Sequence, residues 1–273
     1  MELKVTRYSI DPAGVATVWL HRPERRNSWT GRMHAEYRWI MKQLDSDPKV
    51  RVIVLTGSGS SFCVGADSQA LAKYVEADTY DPALPADAEQ PGYGVRPEFD
   101  ADMAWQFGMR PPIIAAVNGA CAGIAVALVA FCDIRFAVEG AKITTAAPRL
   151  GLPAEYGLSW ILPRIVGLSH AADILLSGRI LLAEELKAMG FFNNVFPQSE
   201  FAQRVEEYAH MLAELSPDSV STAKRQLYGD LLHTNVGEAI EQSKVLIGEL
   251  MARPDYAEGV AAFLEKRRPR FVR

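Results

Sequence analysis

Apolar and polar positions first fall into two strand-like runs, residues 3–10 and 15–20, separated by Asp11-Pro12-Ala13-Gly14. Proline presets φ at such a corner and glycine permits positive φ, so the pattern predicts an opening β-hairpin. Met33, Tyr37, Ile40 and Leu44 then recur at helical spacing and stop near Asp47-Pro48. A β-branched run over residues 50–56 follows, as expected of a buried strand. The alternation returns with a strand over 112–117, a helix over 123–131 and a strand over 134–137, which predicts repeated ββα units and an α/β core. Residues 72–102 hold four prolines and many acids without sustained periodicity, the character of a long mobile loop that serves as a lid or an insertion. Beyond Pro197 the pattern is helical to about Lys266, with Phe201, Val205, Tyr208, Leu212 and Leu215 on one apolar stripe. Such stripes need a partner surface, supplied by the core or by another subunit. The expected organisation is a core over 1–197 and a helical region over 198–273.

Composition narrows the function. With 273 residues, 49% of them hydrophobic and 23% charged, the chain can bury a full core. A net charge of -4 argues against a general nucleic-acid binder, which needs a basic surface to displace counterions. The N-terminus reads straight into a strand rather than a signal peptide, and the longest apolar run, 124–132, is too short to span a bilayer. A cytoplasmic protein with no membrane partner is the expectation. Cys63, Cys121 and Cys132 are odd in number and lack metal-ligand spacing, so they read as reduced, buried thiols. The five histidines, His21, His34, His170, His210 and His233, show no paired metal spacing and read as surface or helix-face residues. Neither a metal nor a bound cofactor is expected.

Two segments carry candidate chemistry. In Ser61-Phe62-Cys63-Val64-Gly65-Ala66-Asp67, Gly65 allows a backbone geometry that leaves the next N–H unpaired. In Val117-Asn118-Gly119-Ala120-Cys121-Ala122-Gly123-Ile124-Ala125, a strand passes through small residues into an apolar helix whose first N–H groups lack partners. Either segment alone is an ordinary turn. Two such donors converging on one oxygen would stabilise developing negative charge, each worth ~3 kcal/mol.

Together with several further blocks, these segments make the chain resemble the crotonase superfamily, the enoyl-CoA hydratase/isomerase family, over nearly its whole length. The resemblance rests on His21-Arg22-Pro23 with Asn27, on both segments above, and on Cys132-Asp133-Ile134. It continues through Leu162-Pro163-Arg164-Ile165-Val166-Gly167, Ser177-Gly178-Arg179, Met189-Gly190 and Phe263-Leu264-Glu265-Lys266-Arg267. It implies a spiral of ββα units with a C-terminal helical trimerisation region, a homotrimer or a hexamer made of two trimers, and an acyl-coenzyme A substrate. It also implies an oxyanion hole from the Ala66 and Ile124 N–H groups, with Ile124 standing where the family usually has glycine. Arg25, Arg26, Asp67, Ser68, Phe263 and Lys266 match positions near substrate and coenzyme A. Solvated charge for the arginines, a loop tie for Asp67 and Asp133, and a basic tail for 266–270 are the ordinary alternatives.

Hydratases that resemble this chain activate water with two glutamates. Their positions fall on Ala127 and Ala147, neither of which can exchange a proton. Glu155, just before Gly157, matches the single catalytic glutamate of some Δ3,Δ2-enoyl-CoA isomerases. The resemblance therefore implies an enoyl-CoA isomerase with Glu155 as its one base. A hydratase or another lyase, a non-catalytic acyl-coenzyme A binder, and a helix-capping role for Glu155 stand beside it.

Overall fold

The computed structural model describes residues 1–68, 95 and 97–271. Most of the expected lid, residues 72–94 and 96, lies outside the described residues.

The hairpin forms as the pattern predicts. Asp11 accepts the Ala13 and Val15 N–H groups on Oδ1, both at 2.9 Å, and Gly14 turns the chain with φ +84°. Strands β1 (Thr6–Ile10) and β2 (Val15–Leu20) pair antiparallel from Thr6↔Leu20 to Ile10↔Ala16. The first strand starts three residues later than periodicity suggests. Lys4 and Val5 donate their N–H groups to Glu36, and the Thr6 hydroxyl donates to the same carboxylate, so this stretch is spent on a helix side chain.

Helix α1 (Gly31–Ser46) begins where the Thr30 hydroxyl accepts the Met33 N–H at 3.1 Å. It buries Met33, Tyr37, Ile40, Met41 and Leu44. Strand β3 (Val52–Gly57) lies parallel to β2 and is followed at once by β4 (Ser61–Cys63). The same pair of steps recurs in β5 (Ile113–Val117) with β6 (Ala120–Ala122), leading into helix α2 (Ile124–Ala130), and in β7 (Ile134–Val138) with β8 (Lys142–Thr144).

Each repeat thus sends a longer strand to one sheet and a short one to another. The first sheet runs β1-β2-β3-β5-β7-β10, closed by β10 (Asn194–Phe196); the second runs β4-β6-β8-β9, closed by β9 (Leu181–Leu182). The corners between sheets are too tight for a side chain. A Cβ on Gly57 would stand 2.2 Å from the Ser61 carbonyl oxygen, and one on Gly119 would stand 2.2 Å from that of Ser60. All five residues of β5 are buried, as a parallel strand covered on both faces requires. This is the spiral of ββα units expected of the fold.

The helical stretch α3 (Leu158–Ser177), broken at Gly167 where φ is +76°, and short α4 (Ala183–Ala188) precede four C-terminal helices: α5 (Gln198–Ala213), α6 (Pro217–Asp230), α7 (Val236–Met251) and α8 (Pro254–Glu265). Helix α5 buries Phe201, Val205, Ala209 and Ala213. Helix α6 is tied down by Lys224 and Tyr228, which reach Asp133 at 2.8 and 2.7 Å. In contrast, α7 buries only Leu246 and α8 only Ala262. Phe263 is left 82% exposed beside a hollow of about 630 Å3 lined by Ile247, Met251, Tyr256, Val260 and Leu264. Among the described residues, no helix is long and apolar enough to cross a membrane.

Candidate active site

The two donor segments meet backbone to backbone. Residues 64–67 follow β4 and are clamped by Trp29, whose N–H donates to the Gly65 carbonyl at 2.7 Å and whose carbonyl accepts from the Asp67 N–H at 2.9 Å. Those two bonds straddle Ala66, whose own N–H has no acceptor among the described residues. Gly65 sits at φ +93°, and a Cβ there would lie 3.2 Å from the Ala122 carbonyl oxygen and 3.8 Å from the Gly123 nitrogen. Gly123 donates to the Thr144 carbonyl at 3.0 Å. Ile124 follows as the first residue of α2, and its N–H likewise lacks an acceptor among the described residues. The backbone thus brings two unspent donors, Ala66 and Ile124, next to each other across the contact between Gly65 and the strand that ends at Ala122.

Asp67 is engaged from several sides. Ser28 donates its hydroxyl to Oδ2 at 2.9 Å, Arg22 reaches the same oxygen at 3.1 Å, and Arg25 lies 3.6 Å from Oδ1. Arg25, Arg26, Ala66 and Ser68 are exposed around this buried carboxylate. Phe263 and Lys266 stand apart from them on α8, where Phe263 lines the C-terminal hollow and Lys266 ends the helix in a left-handed conformation.

The other candidates concern proton transfer. Ala127 is fully buried in α2, and Ala147 is buried at the start of a short 3-10 turn, Ala147–Leu150. Glu155 lies between Gly151 and Tyr156-Gly157, with φ of +70°, +47° and +74° at those three residues. Its carboxylate is half-buried and makes no hydrogen bond or ion pair with any described residue. Burial alone pushes its pKa above the ordinary 4.5, because the charged form loses water without gaining a partner. Nor does it cap α3: Gly157 occupies the cap, and no side chain bonds to the helix start. Tyr156 and Gly157 help wall a cleft of about 400 Å3, together with Phe99, Phe131, Trp160 and Leu232.

The cysteines cannot serve as nucleophiles in this state. Burial pushes the Cys63 thiol up to about 12 and raises the Cys121 and Cys132 thiols as well. Among the described residues, no cluster of three or more His, Cys, Asp or Glu could hold a metal ion.

One histidine takes the helix-face rather than the surface role among those expected, on the buried face of α1. His34 is only 1% exposed, and its Nε2 lies 3.5 Å from Asp102 Oδ1 at the rim of the cleft. Its place on the stripe of Met33, Tyr37 and Met41 was the available signal, since a polar residue on a buried face needs a partner. Trp29, the clamp on Gly65 and Asp67, had no signal of its own in the sequence.

A model of the enoyl-CoA hydratase/isomerase family matches residues 11–273. A 1,2-epoxyphenylacetyl-CoA isomerase of Escherichia coli is 33% identical over 262 residues, covering 95% of each chain. A Mycobacterium tuberculosis protein named a probable enoyl-CoA hydratase is 34% identical over 266 residues, covering 94% of this chain and 89% of its own. A solved Mycobacterium abscessus structure, named a probable enoyl-CoA hydratase/isomerase, superposes with a TM-score of 0.81 at 30% identity, covering 98% of this chain and 97% of that one.

Proposed function

Because the chain belongs to the enoyl-CoA hydratase/isomerase family, we propose that it shifts a double bond in an enoyl-CoA, with Glu155 as its single base. The thioester carbonyl oxygen sits between the Ala66 and Ile124 N–H groups. Glu155 removes a proton from the carbon next to the thioester, and the electron pair moves onto that oxygen as a dienolate. The same carboxyl then returns the proton two carbons along, leaving the double bond conjugated with the carbonyl. Atoms balance with one shuttling group, whereas adding water requires one group to take a proton and another to deliver one.

The observation that carries this reading is the state of Glu155: half-buried, unpaired among the described residues, and raised in pKa by desolvation. Raising a carboxyl's pKa above its ordinary value makes it a stronger base toward carbon-bound protons. Both hydratase positions, Ala127 and Ala147, are buried alanines. Hydration is the second reading, favoured by the relatives whose names describe them as hydratases. On either reading we assign the coenzyme A end to Arg25, Arg26, Ser68, Phe263 and Lys266. The exposed apolar faces of α7 and α8 support a homotrimer, or a hexamer of two trimers, in which the region 198–273 of one subunit reaches a neighbour's site beside the core 1–197.

The test is turnover of 3-hexenoyl-CoA to the conjugated 2-enoyl thioester, followed by absorbance. Glu155→Gln should lower turnover by roughly 10²–10⁴-fold. Near-normal turnover in that variant would remove Glu155 from the mechanism. Water addition to 2-hexenoyl-CoA with no double-bond shift would establish the hydratase instead. Binding without exchange of α protons in deuterated water would mean a non-catalytic acyl-coenzyme A binder.

A further inference from the structure

The cleft that Tyr156 and Gly157 help wall is built on aromatic rings already fixed in place. Phe99, Phe131 and Trp160 line it. Phe107, 2% exposed behind them, holds two of the three, with ring centroids 5.9 Å from Phe99 and 5.2 Å from Phe131. Phe107 in turn stacks on Tyr228 at 3.6 Å, and the Tyr228 hydroxyl donates to Asp133 at 2.7 Å. Trp160 stands edge to face with Phe99, their centroids 5.8 Å apart and their planes at 74°. Arg164 does not line the cleft, yet its guanidinium lies 3.8 Å from the Trp160 ring centroid and donates to the Trp160 carbonyl at 2.7 Å, so it braces that ring from outside. Rings held in this way lose little freedom when a ligand meets them, and that favours binding.

Exposure singles out one of the three. Phe99 and Phe131 are each only 3% exposed, whereas Trp160 keeps part of its surface open. Position matters as much. Ile124 opens α2 and Phe131 follows its last residue, so seven helical residues, a rise of roughly 10 Å, separate the donor from the ring. Gly157 closes the distance to the proposed base: it sits at φ +74°, and a Cβ there would lie 3.3 Å from Phe131 Cζ, so the segment carrying Glu155 runs directly against the wall. The charged side chains lining the cleft, Glu98 and Asp102, are both acids, which disfavours an acyl group ending in a carboxylate.

We infer that Trp160 is a specificity-determining residue, and that the preferred substrates are acyl-coenzyme A thioesters whose acyl group ends in an aromatic ring set several carbons from the thioester. The spacer runs from the Ala66 and Ile124 donors past Glu155, and the terminal ring packs edge to face or offset on Trp160. An alkyl or alicyclic end gains only from area removed from water; an aromatic end adds the attraction between ring quadrupoles. This inference rests on the thioester site proposed above.

The experiment compares saturated thioesters, which bind without reacting: phenylacetyl-, 5-phenylpentanoyl- and 7-phenylheptanoyl-CoA and their cyclohexyl counterparts, titrated by calorimetry. Area burial alone favours cyclohexyl, the more apolar of the two ends. The wild-type protein should nevertheless prefer phenyl by about fivefold at the pentanoyl or heptanoyl length, and by less than about twofold in the acetyl pair, whose ring stops short of the cleft. Trp160→Leu should bring the long pairs within about twofold, while Trp160→Phe, which restores a ring, should keep most of the preference. General loosening of the fold would weaken both members of a pair alike and leave their ratio unmoved. Should Trp160→Leu fail to fold, the wild-type series decides by itself. Cyclohexyl bound as tightly as phenyl at every length would overturn the inference and leave the thioester site standing. A preference as large in the acetyl pair, or one that survives Trp160→Leu, would overturn it as well. Failure of every thioester to bind would sink the acyl-coenzyme A reading and this inference with it.

Discussion

The segments carrying the two N–H donors, the donor side, and the segment carrying Glu155, the acid side, are held by different kinds of contact. On the donor side, Trp29 grips Gly65 and Asp67 through the backbone, Gly123 is bonded to Thr144, and Asp67 is tied by Ser28, Arg22 and Arg25. What is proposed to hold the thioester oxygen there is main chain. On the acid side, Glu155 stands in a segment bounded by three residues at positive φ, with no side-chain partner among the described residues. A backbone donor survives replacement of its own side chain, so Ile124 can stand where glycine is usual. A carboxylate does not survive replacement of its side chain. Main-chain donors thus outlast substitution of their side chains, while a side-chain acid is free to be lost.

The sharpest way to break this contrast is Gly65→Ala. The added methyl would press on the Ala122 carbonyl at 3.2 Å in a conformation at φ +93°. Displacing one donor should cost on the order of 10²–10³-fold in turnover, with a stability loss of about 1–3 kcal/mol from the backbone, read by steady-state kinetics and urea unfolding. Full activity would show that the donors do not need this contact. Next in size is Asp67→Asn, which weakens the ties to Ser28, Arg22 and Arg25 without touching the cleft wall. A loss of about 1–3 kcal/mol is expected in urea unfolding, and no loss would mean that Trp29 alone holds the segment.

Acidity tests the other side. With its folded pKa raised by desolvation, Glu155 favours the protonated folded state, so its contribution to stability falls as pH rises from the ordinary 4.5 through the raised value. Glu155→Gln should therefore melt slightly higher than wild type at pH 7–8 and no higher at pH 4, while the wild-type acid limb of kcat/KM lies above the usual carboxyl range. A limb at the ordinary carboxyl value would show that Glu155 is well solvated when it works. The smallest effect on the single chain is expected at Phe263→Ser, within about 0.5 kcal/mol because the ring is already 82% exposed. Light scattering should nevertheless show weakened assembly, and an unchanged oligomer would exclude α8 from the subunit interface.

Much of the fold was legible in the chain because its signals are local. The hairpin at Asp11–Gly14, the stripe of α1 and the buried β5 each follow from periodicity and a turn residue. The short strands β4 and β6 were not separable from the glycine-rich segments containing them, since three residues carry no period and their pairing is decided only when the corners at Gly57 and Gly119 fold back. The start of β1 was misplaced for a similar reason: Glu36, thirty positions away from Thr6, takes the N–H groups of Lys4 and Val5.

By itself, the sequence determined the repeating strand and helix order, the two glycine-built segments at Ala66 and Ile124, and alanine at positions 127 and 147. These are matters of residue type and short-range backbone geometry. Only the tertiary structure decided that the two segments touch, that Glu155 is half-buried without capping α3, and that His34 faces Asp102. Those relations depend on contacts between residues far apart in the chain, such as Tyr37 with Gln106 at a separation of 69 positions, and burial exists only once such contacts have formed.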